Sequence, residues 1–141
     1  MKELDKHIHD HVTALCQQGD ELAEQGELAG ALEKYWEAFD HLPEPQTIWE
    51  ATTWVLTAIG DANFLGGDYK AGVDNLSYAM HCPGAIGNPF IHLRLGQCQL
   101  EQGNEKRAAD ELTRAYAIAG PEIFEEDDPK YFEFLKSKID M

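Results

Sequence analysis

Three histidines near the N-terminus are the residues whose type and spacing come nearest to a metal site. His7, His9 and His11 alternate with other residues, and on a helix His7 and His11 share one face because they stand four positions apart. Two imidazoles at this spacing suit zinc or nickel. No second group of ligands follows in the sequence. We therefore expect a solvent-exposed run and no cofactor, with His7 and His11 as the only candidate metal ligands.

The candidate nucleophiles are Cys16, Cys82 and Cys98. Their odd number, their wide spacing and the lack of a Cys-x-x-Cys pair exclude a disulfide framework or a zinc ribbon and favour a reducing cytoplasm. Cys16 has histidines nearby, but no orienting group or oxyanion donors can be identified. Cys98 fits a small buried hydrophobic residue within a helix. The sequence thus predicts no catalytic residue.

The charge balance limits the class of partner. The chain has 141 residues with 26 acids and 11 bases, a net charge of −15. This charge repels nucleic acids and anionic membranes, and no apolar run approaches the roughly 20 residues that cross a bilayer. It attracts basic proteins. The N-terminus has no apolar signal core, and the acidic run at 125–128 fits a solvated linker better than a cation site.

Three stretches of the chain share one spacing of small and large residues. Each has a turn glycine, a small residue five positions later, a large apolar residue four after that and an alanine three further on. Small residues on one helical face allow a neighbouring helix to approach closely, and the large residue fills the space between them. The stretches are Gly26-Ala31-Tyr35-Ala38, Gly67-Gly72-Leu76-Ala79 and Gly103-Ala108-Leu112-Ala115.

A preceding helix with an interior glycine is predicted before each stretch, at Gly19, Gly60 and Gly96. These residues together resemble the tetratricopeptide repeat (TPR), whose period is about 34 residues. The resemblance implies an all-α fold, an α-solenoid of three TPR-like helix pairs, with repeats at about 12–45, 53–86 and 89–122 in a single domain, 1–141.

The chain departs from the family in its spacing. The turn glycines Gly26, Gly67 and Gly103 stand 41 and 36 residues apart, which is more than the family period. The first helix of the second repeat is therefore predicted to extend backward through Ile48, Trp49, Ala51 and Thr52.

A capping helix is predicted at about 129–139, because stacked repeats leave an apolar face open at their end. Asp128 suits the N-cap and Pro129 the first helical position. Its apolar residues would cover the last repeat; these are Tyr131, Phe132, Leu135 and Ile139.

The resemblance also implies which residues face the concave groove of the solenoid. They mix acids with large aromatics, a combination suited to a basic protein ligand. For Trp54 and Phe90, packing against the neighbouring helix is an equal alternative. The candidate binding residues are Asp20, Glu24, Trp54, Asp61, Phe64, Phe90, Gln97 and Glu101, with Trp49 and Arg94 added.

Some TPR domains grip the C-terminal carboxylate of chaperones with lysine, asparagine and arginine side chains. Of those groove positions only Arg94 matches; the others hold Cys16, Asp20, Ala58 and Phe90. Acids at such a site repel a carboxylate, so we do not expect this type of binding.

A non-catalytic protein-interaction module is the function that this sequence favours. Segments 59–64 and 87–98 look like small bacterial TPR proteins that accompany polymorphic toxins as immunity proteins. The first hypothesis is therefore an immunity protein that neutralises a cognate toxin. The three-repeat layout also resembles the translocator chaperones of type III secretion, which gives the alternative of a chaperone for a secretion substrate. A metal-dependent enzyme is the third hypothesis, and the oligomeric state stays open.

Overall fold

Helix boundaries in this chain follow its turn glycines and capping side chains. The computed structural model describes residues 3–141, so Met1 and Lys2 lie outside it. The described residues form α-helices and two short 3-10 helices, with no strand, which confirms the all-α prediction. The α-helices are α1 Lys6–Glu24, α2 Leu28–Asp40, α3 Glu50–Leu65, α4 Tyr69–Ala79, α5 Pro89–Glu101, α6 Glu105–Ala119 and α7 Lys130–Lys136; the 3-10 helices are Gln46–Ile48 and Pro121–Phe124.

The two helices of each pair are joined by a tight turn at the predicted glycine. Gly67 has φ +80° between α3 and α4, a conformation that residues with a Cβ rarely adopt. The next residue, Asp68, then caps α4 by accepting the N–H of Ala71 at 3.2 Å. Gly103 and Asn104 repeat this arrangement before α6, where Asn104 accepts the N–H of Arg107 at 3.3 Å.

The interior glycines bring the helices of each pair into close contact. A Cβ at Gly19 would lie 2.5 Å from Tyr35, and one at Gly96 would lie 2.8 Å from Leu112. Gly60 is covered by Leu76 in the same way. In all three pairs the large residue stands 16 positions after the glycine, so one packing unit occurs three times.

The helix pairs stack in series into a solenoid. α2 packs on α3 and α4 packs on α5, while the first helices of the pairs, α1, α3 and α5, also contact one another and form the inner layer. Residues 91–99 of α5 are all buried, because this helix lies among α3, α4, α6 and the segment that follows α6. None of the described helices has the length and apolar character of a transmembrane span.

The backward extension of the second repeat is correct in part. α3 begins at Glu50 and includes Ala51 and Thr52, but Trp49 is extended with φ −103° and ψ 134°, and Ile48 belongs to a separate 3-10 turn. Side chains explain the break. Trp49 Nε1 donates to the carbonyl of Pro43 at 2.8 Å, and Thr52 Oγ1 donates to that of Gln46 at 2.6 Å. These bonds connect Pro43 and Gln46 to the region where α3 begins and hold the intervening chain out of α-helical conformation.

The C-terminal segment closes the last repeat. Asp128 Oδ1 accepts the N–H of Lys130 at 2.9 Å and so performs the predicted capping role. α7 itself is shorter than the predicted span, since it ends at Lys136. Tyr131 and Leu135 are buried against Leu93 and Leu112, with Phe132 and Ile139 packed around them.

Candidate functional site

The inner face of α1, α3 and α5 divides into two parts according to what its side chains contact. We call the part formed by Asp61, Phe64, Phe90, Arg94, Gln97 and Glu101 the closed half, because its polar groups are paired within the chain. The open half consists of the exposed residues Asp20, Glu24 and Trp54, of which Asp20 alone has an internal hydrogen-bond partner, Tyr35.

Arg94 organises the closed half. Its side chain is only 10% exposed, and its charge is balanced by the carboxylates of Asp61 and Asp127. Nε donates to Asp61 at 2.7 Å, and one terminal nitrogen donates to Gln97 at 2.8 Å and to Asp127 at 2.9 Å. Gln97, fully buried, also donates to Asp127 at 2.9 Å. The two carboxylates neutralise the guanidinium charge that would otherwise attract an outside anion.

Two aromatic rings flank the guanidinium of Arg94. Its central carbon lies 4.5 Å from the ring centre of Phe64 and 4.9 Å from that of Phe90, which is cation–π geometry. Both rings are half-buried. Phe90 contacts Arg94 from one turn earlier on the same helix, α5, so this contact does not distinguish a groove residue from one that packs on a neighbouring helix.

Glu101 is paired with α7 in the same internal way. Tyr131 donates its hydroxyl to Glu101 at 3.0 Å, and Lys130 forms an ion pair with it at 2.8 Å. Burial, together with this hydrogen bond, raises the pKa of Tyr131. The ring of Tyr131 also lies 5.9 Å from that of Phe64 on α3. The C-terminal segment thus reaches across α5 and covers the groove as well as the end of the stack.

Asp127 belongs to the polar network of the closed half, which the sequence does not predict. The sequence predicts a solvated linker at 125–128, and Glu125 and Glu126 are exposed as this prediction requires. Asp127 is instead 12% exposed and bound to Arg94. The acidic run holds four neighbouring carboxylates, and nothing in their order distinguishes the one that turns inward.

A buried pair of one histidine and one glutamate is the second feature that the sequence did not reveal. His92 Nδ1 lies 2.6 Å from Glu111 Oε2, and His92 Nε2 accepts the N–H of Gly87 at 2.9 Å. Because Nε2 accepts, Nδ1 carries the proton and donates it to Glu111. The ring is 2% exposed, so neither nitrogen can reach a substrate, and the pair fastens the loop before α5 to α6.

Trp49 and Trp54, five residues apart, have different environments. Trp49 is 9% exposed and belongs to the main apolar core, so most of its ring packs within the chain. The hydrogen bond from its indole N–H to the carbonyl of Pro43 keeps the ring of Trp49 in this position. Trp54 is 40% exposed, and its ring meets the edge of His9 from α1 with centres 5.8 Å apart.

A cleft of about 490 Å³ lies beside Trp54, at the beginning of α1 and α3. Apolar and charged side chains share its walls; these are Glu3, Leu4, Lys6, His9, Ile48, Trp49, Glu50, Ala51, Trp54 and Pro83. On the rest of the open half, Asp20 accepts the hydroxyl of Tyr35 at 2.6 Å, while the carboxylate of Glu24 has no ion-pair partner among residues 3–141.

The three thiols are free and poorly suited to nucleophilic chemistry. Burial raises the pKa of Cys16 to about 11 and that of Cys98 to about 12. Burial raises the pKa of Cys82 as well. At neutral pH these cysteines are thiols, whereas attack requires the thiolate.

Of the two histidine candidates, one joins a group of potential metal ligands in the structure. His11 on α1 lies against His41 at the end of α2, with ring centres 4.3 Å apart, and Glu37 completes a group of three potential ligands. His7 stands one turn earlier on α1 and is not part of this group. His7 and His11 stand one turn apart on α1, as the spacing predicts, and of the two His11 belongs to the group of three potential ligands.

No protein-family model matches the sequence, and no curated protein matches it. Solved structures share its fold. The first TPR domain of human RPAP3 superposes with a TM-score of 0.68 at 13% identity and covers 90% of this chain and 88% of its own. The Yersinia enterocolitica type III secretion chaperone SycD, in complex with a peptide of the translocator YopD, gives 0.68 at 18% identity, covering 91% and 92%. The C-terminal TPR-containing domain of a Plasmodium falciparum FK506-binding protein gives 0.73 at 14% identity, covering 96% and 91%.

At these identities the likeness concerns the fold alone. It agrees with the all-helical architecture and with the glycine-centred packing unit that occurs three times. The chain has a TPR-like helical-repeat fold.

Proposed function

We propose that this chain is a non-catalytic module that binds a basic protein segment on the open half of its inner groove. One observation carries the proposal. Trp54 is 40% exposed on the inner layer, while the polar groups of the closed half are already paired within the chain. A large aromatic side chain of this exposure is the type of residue that anchors interfaces. The cleft beside it would receive an apolar side chain of the partner.

Charge supports a basic partner. The net charge of −15 speeds the encounter with a cationic surface, and the exposed carboxylates of Asp20 and Glu24 lie on the inner helix α1. Lys6 is the basic side chain of the cleft, and Asp10 already pairs with it at 2.9 Å.

The geometry of the reactive groups supports a binding role over catalysis. The thiols have raised pKa values, and the nitrogens of His92 are both engaged and buried. Three free cysteines suit a reducing compartment, so we place the protein in the cytoplasm.

Neutralisation of a cognate toxin is the specific role that we propose, since an acidic groove can cover the basic surface of a protein that acts on nucleic acid. A second candidate is a chaperone for a secretion substrate. The likeness to SycD, whose structure contains a translocator peptide, favours it. Deletion of the gene distinguishes the two: harm only beside an active toxin indicates immunity, and depletion of an exported protein indicates a chaperone.

Affinity capture from the native host tests the binding proposal. The captured protein is identified and purified, and its dissociation constant is measured for wild type, Trp54→Ala, Glu24→Lys and Glu33→Lys. Glu33 is an exposed acid on α2, so the last variant is the charge-matched control. We expect at least about tenfold weaker binding for the first two variants and no change for the third. Equal affinity of all four proteins would overturn the proposal.

A further inference from the structure

We propose that His11, Glu37 and His41 bind one divalent transition-metal ion of the zinc type, which links α1 to α2. The Glu37 carboxylate and the two imidazoles each offer one ligand atom, and these three atoms lie within 4.8 Å of one another. The two imidazole rings are 4.3 Å apart between centres, with an angle of 66° between their planes.

The packing of α1 on α2 creates this cluster. Glu37 and His41 stand four positions apart, so they share one face of α2, and His41 keeps helical backbone angles of −83° and −9° at the end of that helix. His11 comes from the facing helix α1. The site therefore joins residues up to 30 positions apart, which explains why a search for neighbouring ligands in the sequence does not find it.

The donor set selects the class of metal. Two imidazole nitrogens and a carboxylate oxygen are ligands for zinc and its neighbours in the transition series, whereas magnesium and calcium prefer oxygen alone. Bond lengths of about 2.0–2.2 Å place the ligand atoms of a tetrahedral site roughly 3.3 Å apart. The donors must therefore close by about 1–1.5 Å, which rotation of exposed side chains can supply. A water molecule would take the fourth position.

The surroundings favour a cation there. All three residues are exposed, so no burial opposes the charge, and none of them has another hydrogen-bond or ion-pair partner through its side chain in the described part of the chain. The carboxylate supplies one negative charge locally, and the net charge of −15 adds a general attraction.

His7 provides a rival explanation for any metal binding, because it stands one helical turn before His11 on α1. The two sites share His11 and differ in the second imidazole. Variants of His7 and His41 therefore distinguish them, and His81, an exposed histidine after α4 that lies outside the cluster, serves as control.

Zinc titration of the untagged full chain by calorimetry, with cobalt absorption as a spectroscopic readout, tests the proposal. We expect one ion per chain, with affinity at least about tenfold lower in His11→Ala, Glu37→Gln and His41→Ala and unchanged in His7→Ala and His81→Ala. Zinc should also raise the melting temperature of wild type but not of His41→Ala, since the ion links two helices. Circular dichroism confirms that each variant is folded.

Three results would overturn the site. One is wild-type zinc affinity in His41→Ala. Another is loss of binding in His7→Ala, which would assign the metal to the pair on α1. Cobalt spectra without the intensity of tetrahedral coordination, together with equal affinity in all variants, would indicate scattered surface binding.

Discussion

Asp127 accepts a hydrogen bond from Arg94 at 2.9 Å, across 33 positions of sequence. Gln97 donates to the same oxygen, so the chain's own C-terminal segment occupies the polar centre of the closed half. Arg94 is the one residue that matches the carboxylate-gripping TPR domains, and in this protein the carboxylate it holds belongs to its own chain. The partner surface proposed above accordingly lies on α1 and the beginning of α3.

The contact between Arg94 and Asp127 should stabilise the fold measurably. Asp127→Ala leaves a buried guanidinium and a buried amide with one partner fewer, although Arg94 keeps Asp61. We expect the free energy of unfolding to fall by about 2–3 kcal/mol, which urea denaturation measures. Glu126→Ala, at an exposed neighbouring position, should change it by less than about 0.5 kcal/mol. Equal stability of both variants would show that the ion pair adds nothing.

The helix pairs could be predicted from sequence because their signals are local. Gly60 and Leu76 lie within one helix–turn–helix unit, and the same spacing occurs at Gly19 and Gly96. Such a unit is specified by helical periodicity and a turn residue, both of which are visible in a short window. The break in the chain before α3 could not be predicted from sequence, because it depends on hydrogen bonds from Trp49 and Thr52 to the preceding loop.

The candidate site could be predicted only in outline, because its decisive contacts are distant in sequence. Periodicity places Trp54 and Arg94 on inner helices, but it does not predict which of these two residues the C-terminal segment covers. Asp127 reaches Arg94 only because the segment between α6 and α7 packs against α5. His11 meets His41 for a similar reason, the packing of two whole helices.

Gly60 should tolerate no side chain, in contrast with Gly30. A Cβ at Gly60 would collide with Leu76, and overpacking of this kind costs about 1–3 kcal/mol. A Cβ at Gly30 in α2 would meet Leu22 at 3.4 Å, an ordinary contact. Gly30→Ala should therefore raise the free energy of unfolding by about 0.5–1 kcal/mol through helix propensity, while Gly60→Ala lowers it. Thermal and urea unfolding check both signs, and a stabilising Gly60→Ala would contradict the packing unit.

The thiol of Cys16 should react with an unusual pH dependence. Burial raises its pKa from 9.0 to about 11, and the nearby carboxylate of Asp20 adds to the shift. Since the thiolate is the nucleophile, the rate of alkylation in the folded chain should keep rising toward pH 11. By linkage, the stability that this group contributes is complete below pH 9.0 and is lost as the pH approaches about 11.

Mass spectrometry of iodoacetamide-treated protein follows Cys16 separately from the other two cysteines. In urea the rate should level off near the ordinary pKa of 9.0. Asp20→Asn should shift the folded profile toward lower pH, because it removes the neighbouring negative charge. A plateau near pH 9 in the folded wild type would mean that this thiol is solvated.

Trp49 and Trp54 should differ sharply in what their removal does. Trp49 is 9% exposed within the core and donates to Pro43, so Trp49→Ala should lower the free energy of unfolding by about 3–5 kcal/mol. Trp54 is 40% exposed, and Trp54→Ala should cost less than about 1.5 kcal/mol. Urea denaturation compares the two variants directly. If Trp54→Ala lowered the free energy of unfolding as much as Trp49→Ala, the contact of Trp54 with His9 would be structural. The open half would then lack its anchor, because Asp20 and Glu24 offer charge without an apolar surface.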